Sequence, residues 1–480
     1  MEFNPIRNKI RQFTYESLVN ELLAILKLQE RDTRPSAFWH PLILLKWAME
    51  FAECKRPYKT ASRQDVLNLM EMVSKLELSH ATFDLRQHGR AHKTFAILAF
   101  QQFTYQEKTF VDTFSRQFVL FKQLKHSHDL AAEFEKLSGL SLHQVLQAFY
   151  FLHLFIFSDD PTLYKYWGYI DKFIYQGLMD FFGPTFTSTF LDLLTVSRDT
   201  IGRAVEEDTR QVKDYNLQVF DVSFFTRKPL FLYKRTALIP HHAILHQTFG
   251  HFIYDYMKHR DEAFTTELGA RMERYMKLGL DEIRMPYQDE NKLRRMLGKG
   301  HKVVDFVLDE RVLVEAKAIE LKPHVSVNPE DWLLSRELRQ TVGKAYAEQM
   351  QAVAASLPCA AERYGIIVTY KELFLGDSAD MWEQFLEGEA LRALGPDYKN
   401  RLHIPIENLF IMDLPTWDLL LQVLKDHEVS LVSLLQEVKR AHADPKTKKF
   451  YFGMHLHSYP LSQFTHQYLV DARKELKNLC

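Results

Sequence analysis

The stretch "VVDFVLDERVLVEAKAIEL", Val303 to Leu321, puts ionisable groups inside two of the most strand-like runs of a 480-residue chain. "KVVDFVL" and "VLVEAKAI" flank the polar turn Asp309-Glu310-Arg311, a pattern that predicts a β-hairpin with a three-residue connection. In that register Asp305 lies opposite Glu315. Side chains alternate faces along a strand, so Glu315 and Lys317 share one face while Val314, Ala316 and Ala318 take the other. Three ionisable groups thus converge on one patch. Carboxylates facing each other across a ladder repel, and half-buried they cost more unless something compensates them. A divalent cation compensates, because hard ions such as Mg²⁺ accept one or two carboxylates together with water and phosphate oxygens. The plainer reading is that Glu315 and Lys317 form the exposed polar face of an edge strand, since short motifs recur by chance.

Outward from the hairpin, helical and strand-like runs alternate. A helix over about 263–278 precedes it, and a helix over 330–357, the strand "YGIIVTY", a helix near 381–394 and the strand "LFIMD" follow. This order predicts an α/β unit, a sheet with helices packed on it. Upstream, from about Tyr15 to Thr209, apolar residues recur at helical spacing, as in "SLVNELLAILKL", "SRQDVLNLMEMVSKLEL" and "SLHQVLQAFYFLHLFIF", and Ser62 with Asp65 forms a capping-box pattern. The expected organisation is an α-helical domain over 1–210, a connecting segment over 211–262 whose runs "LQVFDVSFF" and "PLFLYKR" read as short strands, and the α/β domain over 263–480 with a helical extension.

Composition narrows the classes. Hydrophobic residues make up 46% and charged residues 26%, as in an ordinary folded protein, and the length favours more than one core. A formal net charge of -1 argues against attachment to polyanions over the whole surface, so any such site is local. Cys54, Cys359 and Cys480 are too few and too scattered for a disulfide framework or a zinc cluster, which points to the cytoplasm. "FYFLHLFIF", Phe149 to Phe157, is too short to span a bilayer and reads as a buried helix, so no membrane partner is expected. No G-x-x-x-x-G-K-[ST] phosphate loop is present. The basic run Lys292, Arg294, Arg295, Lys299 and Lys302 precedes the hairpin and reads either as a phosphate grip or as a solvated face. His242 and His246 stand four apart with no third ligand of the zincin type.

With an Asp on one strand and "EAK", Glu315-Ala316-Lys317, on the next, the chain resembles the PD-(D/E)xK nuclease superfamily over about Pro229 to Val423. Val304 replaces the proline of the family's name. The resemblance implies a restriction-endonuclease-like fold over 263–480 and a Mg²⁺ (or Mn²⁺) ion held by Asp305, Glu315 and the carbonyl of Ala316. It makes "LGARMERYM" the preceding helix, with Glu273 as its acid and Glu267 and Glu282 as alternatives. "GKAYAEQMQA" becomes the helix that lends a polar residue, Gln349, with Gln340 and Gln351 as alternatives. Lys317 would orient or deprotonate the attacking water. The implied substrate is DNA or RNA, including tRNA. The layout is similar to that of bacterial antiviral-defence effectors, in which a helical sensor, triggered for instance by a phage protein, controls the nuclease. The competing class is a binding module that keeps the fold without catalysis. Oligomeric state is left open.

Overall fold

The computed structural model describes residues 2–31, 37–52, 59–80, 88–105, 111–157, 168–298, 302–328, 331–358, 361–460 and 464–478. Lys299 and all three cysteines lie outside them. Among the described residues two sheets are embedded in largely helical structure. The smaller joins β1 (Thr195–Val196), β2 (Leu230–Tyr233) and β3 (Thr236–Leu238). The larger joins β4 (Tyr287–Asp289), β5 (Phe306–Leu308), β6 (Val312–Lys317), β7 (Tyr364–Thr369) and β8 (Leu409–Asp413) in sequence order. β4, β5 and β6 form an antiparallel meander, and β7 and β8 run parallel to β6. The expected combination of an α/β unit with a helical region is what the chain forms.

Alternation along these strands decides the layers. Phe306, Val314, Ile366 and Phe410 point to one face and pack with the helices His242–Met257, Phe264–Glu282 and Leu414–His427. Val307, Leu313, Ile367 and Leu409 point to the other and pack with Val342, Tyr346 and Met350 of the segment after Asp331 and with Phe385 and Leu386. A sheet buried on both faces needs apolar residues in both registers, and "YGIIVT" is buried at every position.

The hairpin connection has the expected length. Leu308 pairs with Val312, Asp309 and Glu310 take left-handed backbone angles (φ 47° and 58°), and the Arg311 N–H closes the turn on the Leu308 carbonyl at 3.1 Å. The first strand is shorter than "KVVDFVL". The ladder begins only at Phe306, because the amide of Asp305 donates to the side chain of Glu315 at 3.2 Å.

In the first half, the Ser62 and Asp65 side chains cap each other's amides at 3.0 and 3.2 Å, as the sequence predicts, and Leu142–Ile156 is the buried helix. "LQVFDVSFF" is not a strand. Asp221 accepts the Ser223 amide at 2.9 Å, and that side-chain turn diverts the backbone into the short helix Ser223–Arg227. The segment over 211–262 also holds the long helix His242–Met257.

The apolar clusters do not divide at residue 210. One contains Phe3 to Tyr105 together with Val196 to Phe231. Another runs from Phe114 through Leu194 into the sheet at Phe306 and on to Leu476. Residues 114–156 and 170–194 therefore contribute to a core shared with the α/β unit. A buried ionic cluster crosses the same junction: the Arg210 guanidinium reaches Asp255 at 2.6 Å and Glu320 at 2.5 Å, and Lys371 reaches the same two carboxylates at 2.6 and 3.1 Å. Among the described residues no single helix is long and apolar enough to cross a membrane.

Candidate active site

The Phe306–Val314 pairing of the hairpin, carried one step outward, sets Asp305 beside Glu315. The β4–β5 register, in which Asp289 pairs with Phe306, likewise carries outward to Glu290 beside Asp305. The extended registers thus set three acids in one row, Glu290 just after β4, Asp305 just before β5 and Glu315 within β6. Glu290 escapes the sequence reading because it opens the helix Glu290–Leu297, capped by Asp289 on the Lys292 amide at 3.0 Å, and looks like a first-turn acid. Its one trace in the sequence is the acid pair of "QDENK", at the end of a strand too short to recognise.

Glu273 reaches the same place from the helix Phe264–Glu282. Carboxylate oxygens of Glu273, Glu290 and Asp305 all lie within 4.8 Å of one another, and all three residues are half-buried. The alternatives to Glu273 are engaged elsewhere. Glu267 is buried against Arg271 at 2.7 Å and accepts the amides of Ser127 and His128, and Glu282 binds His466 at 2.6 Å.

Glu315 is buried, and both its oxygens are occupied. One takes the Asp305 amide at 3.2 Å, the other the Lys317 ammonium at 2.5 Å and the Gln349 amide at 2.9 Å. Lys317 also donates to Gln349 Oε1 at 3.1 Å. Gln349 lies where the helical segment opens into wide turns over Ala345–Met350, the kind of local distortion often found at functional sites. Gln351 is committed to the backbone of His403 and Ile404, and Gln340 is exposed. Ala316 contributes its N–H, which donates to Asp305 Oδ2 at 2.6 Å.

The electrostatics follow from this crowding. Burial, and next the Glu315 carboxylate, push the pKa of Asp305 well above the ordinary carboxylate range. Burial also raises Glu315, with Lys317 working against it. Glu273 is raised by burial, then by Glu290, Asp289 and Glu315. The acids are mutually destabilised, a condition that a cation relieves. As a donor set the half-buried trio suits a hard divalent ion.

Of the basic run, Lys292, Arg294 and Arg295 are exposed on the helix Glu290–Leu297, whose Leu293 is buried. Arg294 Nε binds Glu290 at 2.7 Å, and Lys302 pairs with Glu348. The run thus lies beside the acids as a charged rim. His246 stacks on Phe157 at 3.8 Å, and His242 is buried with its pKa pushed down to about 2 by burial.

No family model, curated protein or solved structure matches the chain.

Proposed function

We propose that the protein is a metal-dependent nuclease that hydrolyses phosphodiester bonds of DNA or RNA, with a site of the PD-(D/E)xK kind. The observation that supports this reading is the cluster of Glu273, Glu290 and Asp305 carboxylates, with Glu315 bonded to Asp305 and Lys317 bonded to Glu315. The meander followed by two parallel strands accords with a restriction-endonuclease-like core.

Asp305, Glu273 and Glu290 would hold a Mg²⁺ or Mn²⁺ ion, with Glu315 beside them. Bound there, the ion supplies Lewis acidity at the phosphate and acidifies its water. Glu315 and Gln349 fix the Lys317 ammonium at the rim of the acids, where it can hold the attacking water and meet negative charge developing on the phosphate. The exposed cations of the helix Glu290–Leu297 are placed to contact flanking phosphates without reading bases.

The test is incubation of the purified chain with plasmid, single-stranded oligonucleotide and total tRNA, each with Mg²⁺, Mn²⁺ or EDTA, beside Asp305→Asn and Lys317→Ala. Metal-dependent cleavage lost in both variants supports the reading. Binding without cleavage of any substrate overturns it in favour of a non-catalytic module.

A further inference from the structure

A second cavity opens at the carboxyl ends of β7 and β8, bounded by the helices Val111–Phe118, His242–Met257 and Leu414–His427. It measures about 630 Å³, within the range of small-molecule sites. In open α/β sheets ligands favour the crevice beyond the carboxyl ends of the parallel strands. Its walls differ from those of the acidic row.

Arg116, Asp418, Asp112 and Asp413 of these walls are already engaged. Arg116 binds Asp418 at 2.8 Å, and Asp112 pairs with Arg473. Asp413 caps the following helix at the Thr416 amide. The neutral polar groups, by contrast, are left over. Gln247 is 6% exposed and Tyr370 5% exposed, both line the cavity, and among the described residues neither side chain makes a hydrogen bond. Beside them, His251 Nδ1 and Gln117 Oε1 are buried without partners. Burial holds the His251 imidazole neutral at physiological pH, with its pKa pushed down to about 3.

A buried polar group without a partner costs free energy, so two in one wall, beside the unbonded Gln247 and Tyr370 side chains, point to a ligand that completes them. The ligand is uncharged, because among the described residues the lining Arg116 and Asp112 are already ion-paired and Asp413 is engaged by the Thr416 amide, and it carries both donors and acceptors. A carboxamide presents a donor and an acceptor side by side, which matches the edge of a nucleobase, and the rings of Phe103, Tyr370 and Tyr451 line the same space.

We propose that this cavity binds a nucleobase, presented by a free nucleoside or by one unstacked residue of a strand. Asp413 in its wall pairs with Thr369, which pairs with Lys317, so the cavity begins two strand spacings, about 10 Å, from the level of that lysine. The proposal stands whether or not the acidic row cleaves anything.

The experiment is calorimetric titration of the full chain, in EDTA, with adenosine, guanosine, cytidine and uridine, with ribose as control, and with a short single-stranded oligonucleotide. At least one nucleoside should bind while ribose does not. Gln247→Leu should weaken that binding about tenfold, the worth of a lost hydrogen bond to a buried amide. The same variant should melt no lower than wild type without ligand. Tyr370→Phe, which removes a single oxygen, gives an independent reading should Gln247→Leu fold poorly. Binding by the oligonucleotide alone, weakened by both variants, identifies a strand as the source. If no nucleoside binds and oligonucleotide binding is indifferent to both substitutions, water fills the cavity and the proposal fails.

Discussion

Asp305 and Glu315 are locked to each other twice over: the Asp305 amide donates to a Glu315 oxygen at 3.2 Å, while the amide following Glu315 donates to Asp305 Oδ2 at 2.6 Å. The backbone thus forces together two carboxylates that repel. Asp305→Asn should relieve about 1 kcal/mol of that repulsion and leave the metal-free protein at least as stable as wild type. Mg²⁺ should raise the wild-type melting temperature and barely move the variant's. Thermal melts in EDTA and in millimolar Mg²⁺ decide it. A destabilised variant that still responds to Mg²⁺ would refute the metal reading.

Glu290→Gln should weaken Mg²⁺ binding on the order of 10- to 100-fold, because it removes one donor of the trio. Glu267→Gln, on the helix that also carries Glu273, should instead cost several kcal/mol by stranding the buried Arg271 and leave Mg²⁺ affinity intact. Titrating the metal into both variants separates site from scaffold. Equal affinities in Glu290→Gln and wild type would reduce Glu290 to the partner of Arg294.

Replacing Lys292, Arg294 and Arg295 together with Gln should weaken nucleic-acid binding evenly across sequences. The slope of log affinity against log salt should flatten by about 0.9 for each phosphate that the helix no longer neutralises. The check is a binding series from low to high salt, and an unaltered slope assigns the helix Glu290–Leu297 to solvent.

Glu320 sets an acid limit on stability. Burial opposes its ionisation, yet Lys371, Arg210 and Lys258 outweigh burial and hold its pKa down to about 2. A depressed folded-state pKa gives stability that is present above the unfolded value, about 4.3, and lost as pH falls toward 2. Its scale at neutral pH is on the order of 3 kcal/mol. Glu320→Gln should therefore be destabilised at pH 7, with the gap to wild type closing between pH 5 and 2. A gap that stays constant in urea melts across that range would remove Glu320 from the acid response.

The hairpin was legible because alternation and turn length are local properties. They placed Asp305 opposite Glu315, and Lys317 on the Glu315 face, from nineteen letters. Glu290 was not legible, since its role depends on β4 pairing with β5, and a three-residue strand gives no alternation to read. "LQVFDVSFF" misled because β-rich composition says nothing of an Asp side chain that captures a nearby amide. Where the cores divide was hidden for a third reason. Helical periodicity marks a buried face but not its partner, and the partners of Phe114 and Phe149 lie about a hundred residues or more downstream, at Phe249.

That last arrangement bears on how the protein is made. The helix Gln467–Lys477 buries Leu469, Ala472 and Leu476 in the cluster that holds Phe114, and the carbonyl of Asn478 accepts the Gln147 amide at 2.7 Å. The core begun by residues 111–156 is finished only by residues synthesised hundreds of positions later. During synthesis the apolar faces of these helices therefore lack part of their cover until the helix Gln467–Lys477 leaves the ribosome. A chain cut short before that helix lacks part of the core on which the sheet packs.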